Sequence, residues 1–190
     1  MLDKCPDYLV IGSGIAGARA ALELSRQGDV LVLAKSGTRE SNTEYAQGGI
    51  AVALNEGDSE ELHYEDTMAA GAGVCDGAAT QVLVQEGPSR VRELLHWGAE
   101  FDGIEGGLDF TREAAHSRKR ILHAGGDATG HEISRTLIRR ARASANIHLR
   151  SHSCAIDLLV GSSGCEGVRF INSRNGKIQE IRAPRVLLAT

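Results

Sequence analysis

The sequence predicts an α/β fold, with a parallel sheet and helices to which an antiparallel β-meander is appended. A short apolar strand over 8–11, a helical pattern that begins at Ile15 and is closed by Gly28, and a second apolar strand over 30–33 follow one another directly. Together they form a β-α-β unit of roughly 30 residues. In the last third of the chain, strand-like segments alternate with turn signals, of which Asn175-Gly176 is the strongest hairpin signal. These two patterns define the predicted architecture.

The middle of the chain is predicted from turn residues and helix-capping signals. Residues 36–49 are polar and contain three glycines, which predicts a long loop, and loops of that length are usually functional. Asp58 with Glu61 predicts a capping box that begins a helix ending near residue 70. A second helix is predicted over 80–97, with a break or kink at Gly87-Pro88.

The second half of the chain is predicted to hold one helix and several strands. Thr129 with Glu132 forms another capping box, which begins a helix ending near residue 143. Two strand-like pieces precede it, over 108–111 and 120–123. The meander is predicted from four segments separated by turns at 161–164 and 175–176, over 147–150, 154–160, 167–171 and 177–182. A buried strand is predicted over 185–190.

Composition limits the class of protein. The 190 residues suit one domain or a little more, and 42% hydrophobic with 24% charged residues is ordinary for a soluble chain. The apolar runs are too short for a membrane span, and a net charge of −4 gives no broad case for nucleic acid binding. The four cysteines show neither disulfide nor zinc spacing, and no apolar leader precedes the first strand. We therefore expect a cytoplasmic chain without a metal site.

A glycine-rich turn joins the first strand to the first helix. It has the G-x-G-x-x-G pattern in the required context, with a strand before it and a helix after it, in the segment Gly12, Ser13, Gly14, Ile15, Ala16 and Gly17. Gly12 allows the tight turn, Gly14 lets the backbone approach a pyrophosphate, and Gly17 lets the helix pack closely on the strand. The pattern predicts a Rossmann-like dinucleotide site, and by itself it leaves FAD, NAD and NADP open.

The end of the second strand departs from that pattern. An Asp or Glu that binds the ribose is expected there, about 20 residues after the turn. The sequence has Ala34 and Lys35 instead. Lys35 with Ser36 and Arg39 could favour the 2′-phosphate of NADP, or Lys35 could be a solvated strand end.

The loop that follows carries a longer and more specific motif, Ser41-Asn42-Thr43-Glu44-Tyr45-Ala46-Gln47-Gly48-Gly49-Ile50. It resembles the flavoprotein family of succinate dehydrogenase, fumarate reductase and L-aspartate oxidase. In that family this loop wraps the FAD, so the resemblance implies cofactor contacts from a run of residues that comprises Asn42, Thr43, Glu44, Tyr45, Ala46, Gln47, Gly48 and Gly49. It implies the same for Lys35, which also occurs at this place in one branch.

Two features point to the L-aspartate oxidase branch of the family. Asn42 stands where the respiratory members carry the His that bonds covalently to the flavin. An amide cannot form that bond, so the resemblance implies non-covalent FAD. The segments 111–117, 120–124 and 126–130 also look like the pattern of this branch, and the resemblance covers essentially the whole chain.

The resemblance implies one substrate-orienting residue, Glu113. In that branch the Glu of the Thr-Arg-Glu segment orients the amino group of the substrate, and a carboxylate suits the ammonium that distinguishes aspartate from succinate. The competing interpretation is a solvated Glu113 beside Arg112. The basic run Arg118-Lys119-Arg120 is interpreted as a solvated positive face, with a site for an anionic substrate as the alternative.

The implied reaction is the FAD-dependent oxidation of L-aspartate to iminoaspartate, the first step toward quinolinate in NAD (pyridine nucleotide) biosynthesis, with oxygen or fumarate as electron acceptor. Functional coupling to quinolinate synthase is a further hypothesis. Residues 1–190 are expected to be the N-terminal portion of the FAD-binding domain, without the capping and C-terminal helical domains, and inactive alone. The alternatives are a fumarate reductase or succinate dehydrogenase flavoprotein fragment and a non-catalytic NADP- or FAD-binding module.

Overall fold

The computed structural model describes residues 5–104, 106–162 and 164–190. The chain divides into two compact units, the first comprising residues up to Tyr45 and from Ile133 onward, and the second comprising Ala46–Glu132. The helices are α1 (Ile15–Leu24), α2 (Glu60–Ala70), α3 (Gly77–His96) and α4 (Thr129–Arg142). The strands are β1 (Tyr8–Ile11), β2 (Val30–Leu33), β3 (Ile50–Ala51), β4 (Gly103–Ile104), β5 (Gly107–Leu108), β6 (Phe110–Thr111), β7 (Ile121–Leu122), β8 (Ile147–Arg150), β9 (Ser153–Gly161), β10 (Gly164–Asn172), β11 (Ile178–Arg182) and β12 (Val186–Leu188).

A four-stranded parallel sheet is the centre of the first unit. Its strand order is β12-β1-β2-β8, and β1, α1 and β2 form the predicted β-α-β unit. The sequence-based placement of 147–150 in the meander is wrong, because β8 pairs in parallel with β2, with Val30 opposite Ile147. The reason is topological: a strand that follows a crossover helix returns parallel to its sheet.

Alternation along β1 and β2 gives this sheet two buried faces. Tyr8, Val10, Val30 and Val32 pack against Ala21 of α1, and Ala141 of α4 lies in the same core. The opposite face packs against the meander, through a set that contains Leu9, Ile11, Leu31, Leu33, Val168 and Phe170. Because both faces are covered, all four positions of β1 and β2 are buried, as continuous apolar runs in parallel strands indicate.

The meander is confirmed as an antiparallel sheet of order β11-β10-β9. The predicted hairpin at Asn175-Gly176 joins β10 to β11, and Gly176 has φ +69°. The predicted turn at 161–164 falls between β9 and β10, although Ser163 lies outside the described residues.

Strand β12 is less buried than its apolar sequence predicts. It pairs in parallel with β1, with Leu9 opposite Val186, and lies at an edge of the described sheet. Leu187 is 39% exposed and Leu188 is 60% exposed. The prediction of a buried strand was therefore wrong for these residues, because an edge strand has a neighbour on one side only.

The second unit contains two small antiparallel sheets, of order β3-β7-β6 and β4-β5, together with α2 and α3. Val52, Val91 and Leu122 form its buried core, and Leu95 and Phe110 pack against them. No described helix is long and apolar enough to cross a membrane.

The two helices of this unit begin at other residues than predicted. Ser59, not Asp58, is the N-cap of α2, and its hydroxyl accepts from the Leu62 amide. Asp76 caps α3 by accepting from the Ala79 amide, so that helix begins three residues before the predicted Thr80. Helix α3 is also continuous through Pro88, which is buried in the helix interior. The preceding residue is Gly87, which has no Cβ to clash with the proline ring.

Thr129 and Glu132 do not form the predicted capping box. The Thr129 hydroxyl accepts from the Ala124 amide at 3.1 Å, and the Glu132 carboxylate accepts from the Glu100 amide at 2.7 Å. Both side chains tie earlier segments of the second unit to the start of α4. The sequence predicted that these two side chains cap the helix locally, but they hydrogen-bond to residues earlier in the chain and stabilise tertiary packing.

Candidate functional site

Two glycines of the predicted turn are required by the backbone itself. Gly12 has φ +112°, and a Cβ there would collide with the Ala189 carbonyl. A Cβ on Gly17 would collide with the Gly12 carbonyl. The absence of a Cβ there lets α1 pack directly against the turn. Both positions therefore need glycine for packing, in agreement with the roles given by the sequence.

Gly14 differs from both, because the space beside it is open. Its φ is −66°, and an ideal Cβ would lie 3.4 Å from Thr43 Oγ1 and 3.8 Å from the Ser41 Cβ. Gly14 is the N-cap of α1 and provides no side-chain cap. The Ile15 amide donates to Thr43 Oγ1 at 3.1 Å. The helix thus presents backbone amides and its positive dipole end to an open space, which suits an anion.

That open space is a cleft of about 360 Å³ in the first unit. Eight of the residues predicted to bind the cofactor line it, namely Gly12, Ser13, Gly14, Ile15, Ala16, Lys35, Asn42 and Thr43. Gly17 is a buried residue of α1 and does not line the cleft. The structure therefore brings the glycine turn, the end of β2 and the start of the long loop together.

The cleft also contains residues that the sequence did not reveal. Glu40 is the only acidic residue among those lining the cleft, and it accepts from the Tyr45 hydroxyl at 2.6 Å. This hydrogen bond and the charge of Glu40 raise the pKa of Tyr45. Ser153, Cys154 and Ala155 at the start of β9 line it as well. Glu40 lies in the loop seven residues beyond the end of β2, and no local motif marks the start of β9.

The rest of the predicted flavin loop is divided between the units. Glu44 and Tyr45 end the first unit without lining the cleft. Residues 46–49 begin the second unit, where the Ala46 carbonyl accepts from the Gly130 amide at 3.1 Å. Gly49 packs against β7, since a Cβ there would collide with Ile121, and Gly48 has φ +79°. Both glycines are thus required locally.

The predicted substrate-orienting residue lies in an exposed segment of the second unit. The Glu113 side chain is 57% exposed, and its Oε1 lies 3.9 Å from His123 Nε2. His123 Nε2 is in turn 3.0 Å from Thr111 Oγ1. The structure records no ion pair between Glu113 and Arg112 among its described residues. Glu113 is therefore accessible to a ligand beside one imidazole.

Arg120 is not part of a solvated positive face, as the basic run 118–120 suggested. It is completely buried and donates through Nε and Nη2 to both carboxylate oxygens of Asp58, at 2.9 and 2.7 Å. Its Nη1 donates to Asp66 Oδ2 at 2.7 Å and lies 3.4 Å from His116 Nδ1. A guanidinium can be buried only when carboxylates pair with it, and the partners of Arg120 lie far away in the sequence. The run 118–120 therefore does not reveal that Arg120 is buried.

The pKa values of two groups follow from this buried ion pair. Burial raises the pKa of Asp66, but hydrogen bonds from Ser117 and the charge of Arg120 outweigh it and lower the pKa below its usual value. Burial, then Arg120 and His116, lower the pKa of His63, against the opposing effect of Asp58 and Asp66. His63 Nδ1 is buried without a hydrogen-bond partner among the described residues, and the His63 and His116 rings lie 5.8 Å apart. His63 is therefore neutral in the folded unit.

The lowered pKa of His63 predicts an acid-dependent loss of stability. The unfolded chain takes up a proton near the ordinary pKa of 6.5, whereas the folded unit resists protonation. The free energy of unfolding should therefore decrease as the pH falls below 6.5, and Asp66 adds its own loss only below 3.8. Denaturant titrations from pH 7.5 to pH 5 should show a smaller slope for His63→Gln. Equal slopes for the parent and His63→Gln would show that His63 does not cause the acid-dependent loss of stability.

Comparison with known proteins identifies the family. The sequence matches the family described as FAD binding domain over residues 7–190. The chain belongs to the FAD binding domain family. FAD is therefore the cofactor of this chain, and the alternative of an NADP module is overturned. The open cleft at Gly14 fits the pyrophosphate of such a cofactor, since it lies at the N-terminus of α1, where backbone amides and the positive end of the helix dipole favour an anion.

L-aspartate oxidases are among the curated proteins that this chain resembles. Those of Nicotiana tabacum (2-b, chloroplastic) and Streptomyces coelicolor are each 45% identical, over 97% of this chain. The chain covers 29% of the Nicotiana protein and 33% of the Streptomyces protein. It therefore spans about a third of the length of the relatives it matches. The resemblance to the L-aspartate oxidase branch is confirmed at this level.

Solved structures confirm the fold. The Mycobacterium smegmatis Sdh1 complex in the apo form superposes with a TM-score of 0.88 at 32% identity, over 97% of this chain and 34% of that chain. The E. coli quinol fumarate reductase FrdA superposes with a TM-score of 0.90 at 27% identity, over 97% and 32%. The predicted α/β class with its parallel sheet and meander is therefore correct. Among the described residues, no cluster of His, Cys, Asp or Glu could hold a metal ion.

Proposed function

We propose that this chain is the FAD-binding part of an L-aspartate oxidase, which oxidises L-aspartate to iminoaspartate. The observation that carries the proposal is the 39–45% identity to L-aspartate oxidases of plants and bacteria over nearly the whole chain. Asn42 and the Thr111–His123 segment support the same branch. FAD, when bound, supplies the electron-accepting chemistry.

The chain's own part in that reaction begins with holding the cofactor. The turn at Gly12–Gly17 and the N-terminus of α1 bind the pyrophosphate through backbone amides, which need no conformational change because the helix orients them. Lys35, Asn42 and Thr43, which line the same cleft, are further contacts in this proposal. Residues 44–49 complete the loop.

Glu113 orients the substrate in this proposal. Its exposed carboxylate is free to accept hydrogen bonds from the ammonium group of L-aspartate, a charge-assisted pair. His123 Nε2 lies 3.9 Å from Glu113 Oε1, so the imidazole restricts the positions open to that carboxylate on one side. Succinate and fumarate carry no ammonium group, so this contact would select for the amino acid.

The first prediction for this proposal concerns the attachment of FAD. Asn42 lines the cleft where a covalent member would carry His, and an amide side chain cannot form the histidyl bond. Denaturing the purified holoprotein should therefore release all of its flavin into the ultrafiltrate. Flavin retained with the polypeptide would contradict non-covalent attachment and favour the succinate dehydrogenase alternative.

The second prediction concerns Glu113→Gln in the full-length protein. Loss of a charge-assisted hydrogen bond typically costs about 1.5–3 kcal/mol, so kcat/KM for L-aspartate should fall roughly tenfold to hundredfold. Fumarate reduction should be largely spared. Steady-state assays with both substrates measure the difference, and the adjacent Arg112→Gln serves as the matched control. Equal losses with both substrates would show that Glu113 has a structural role.

Several expectations from the sequence stay predictions. They are the use of oxygen or fumarate as acceptor, the role in NAD biosynthesis, the coupling to quinolinate synthase and the inactivity of residues 1–190 alone. A cytoplasmic location also stays a prediction, since the plant relatives are named chloroplastic. The alternative of a fumarate reductase flavoprotein is weakened by the lower identity of FrdA, 27%.

A further inference from the structure

We propose that Asp66 is a positioning residue for Glu113, acting through Ser117 to hold the substrate-orienting segment. This inference rests on the proposed function of Glu113.

The segment that carries Glu113 needs an external anchor. Residues 112–119 contain no helix or strand, and all of their side chains except that of His116 are exposed. A turn is closed by the His116 amide, which donates to the Glu113 carbonyl at 3.0 Å. Without burial or regular structure, such a segment would be mobile. Its position therefore depends on the few contacts that fix it.

Asp66 provides the contact that follows the turn directly. Its Oδ2 accepts from both the amide and the hydroxyl of Ser117, each at 2.8 Å, and from Arg120 Nη1 at 2.7 Å. Three donors on one carboxylate oxygen form a strong, charge-assisted junction. Because Ser117 is adjacent to His116, the junction fixes the end of the turn that begins at Glu113.

Removing this carboxylate should loosen the segment without unfolding the unit. Asp66 is 17% exposed, whereas Asp58 is 1% exposed and keeps both of its hydrogen bonds to Arg120. The buried guanidinium would therefore stay paired in Asp66→Ala. What is lost is the pair of bonds to Ser117, so the effect should reach Glu113 before it reaches the core.

The experiment uses the full-length holoprotein with Asp66→Ala, Glu113→Gln and the double variant. We expect Asp66→Ala to lower kcat/KM for L-aspartate roughly tenfold, with FAD content unchanged and fumarate reduction nearly so. The double variant should lose no more than Glu113→Gln alone, because the two residues act through one interaction. Asp76→Ala, which removes the N-cap of α3, is a matched stability control and should leave the ratio of the two activities unchanged.

Hydrogen exchange gives a readout independent of activity. Amides at 113–117 should exchange faster in Asp66→Ala, whereas those of α3 should not. Unchanged exchange at 113–117, additive losses in the double variant, or equal losses with aspartate and fumarate would each overturn the positioning role. If the unmodified protein does not oxidise L-aspartate, the proposed function fails, and the exchange data still decide whether Asp66 anchors the segment.

Discussion

Gly14→Val should abolish FAD binding while the chain remains folded. The φ of −66° suits any residue, and the nearest atoms to an added Cβ are 3.4 Å away or further, so the backbone accepts a Cβ at this position. It would, however, occupy the space through which a pyrophosphate reaches the amides of α1. The measurement is the flavin retained after gel filtration, together with the circular dichroism spectrum of the apoprotein.

Gly17→Ala is the matched control for this prediction. Its Cβ would collide with the Gly12 carbonyl, so it should lower the apoprotein melting temperature, which Gly14→Val should not. Comparing Gly14→Val with Gly17→Ala thus distinguishes an effect on ligand access from an effect on helix packing. Normal FAD retention by Gly14→Val would show that the pyrophosphate binds elsewhere.

Arg120→Met should lower the free energy of unfolding by about 3–5 kcal/mol, because it leaves the buried Asp58 carboxylate without its cation. Arg120 is completely buried, and the Asp58 carboxylate that it pairs with is 1% exposed. Denaturant titration with fluorescence or circular dichroism measures the change.

The neighbouring Arg118→Met is the control for that prediction. Arg118 belongs to the same basic run and is exposed, so its replacement should change the free energy of unfolding by about 0.5 kcal/mol or less. Similar effects for the two substitutions would contradict the distinction between a buried ion pair and a solvated face.

The β-α-β unit and its glycine turn could be predicted because their signals are local. Continuous apolar runs identify strands buried on both faces, and β1 and β2 are buried at every position. Gly17 is required by a contact with Gly12 inside the turn, which the spacing of the motif already encodes. Gly12 is also required by the distant Ala189 carbonyl, which no local signal reveals. The flavin loop was recognised in the same way, from one contiguous stretch of sequence.

What sequence reasoning missed depends on residues distant in the chain. Arg120 can be buried because it pairs with Asp58 and Asp66, which lie 62 and 54 residues before it in the sequence. Nothing within the run 118–120 distinguishes Arg120 from its neighbours. Strand β8 resembles the meander strands locally, and only its pairing with β2 assigns it to the parallel sheet. Glu40 lines the cleft because of the path that its loop takes, and a loop without sequence periodicity gives no signal from which that path could be predicted.

Anaerobic mixing of the full-length holoprotein with L-aspartate tests the central claim most directly. We expect the absorbance of the oxidised, bound flavin to disappear with L-aspartate and to persist with succinate. Glu113→Gln should slow this bleaching without releasing the flavin. Oxidised flavin that persists with L-aspartate, or that is reduced by succinate alone, would contradict the assignment of this chain to an L-aspartate oxidase.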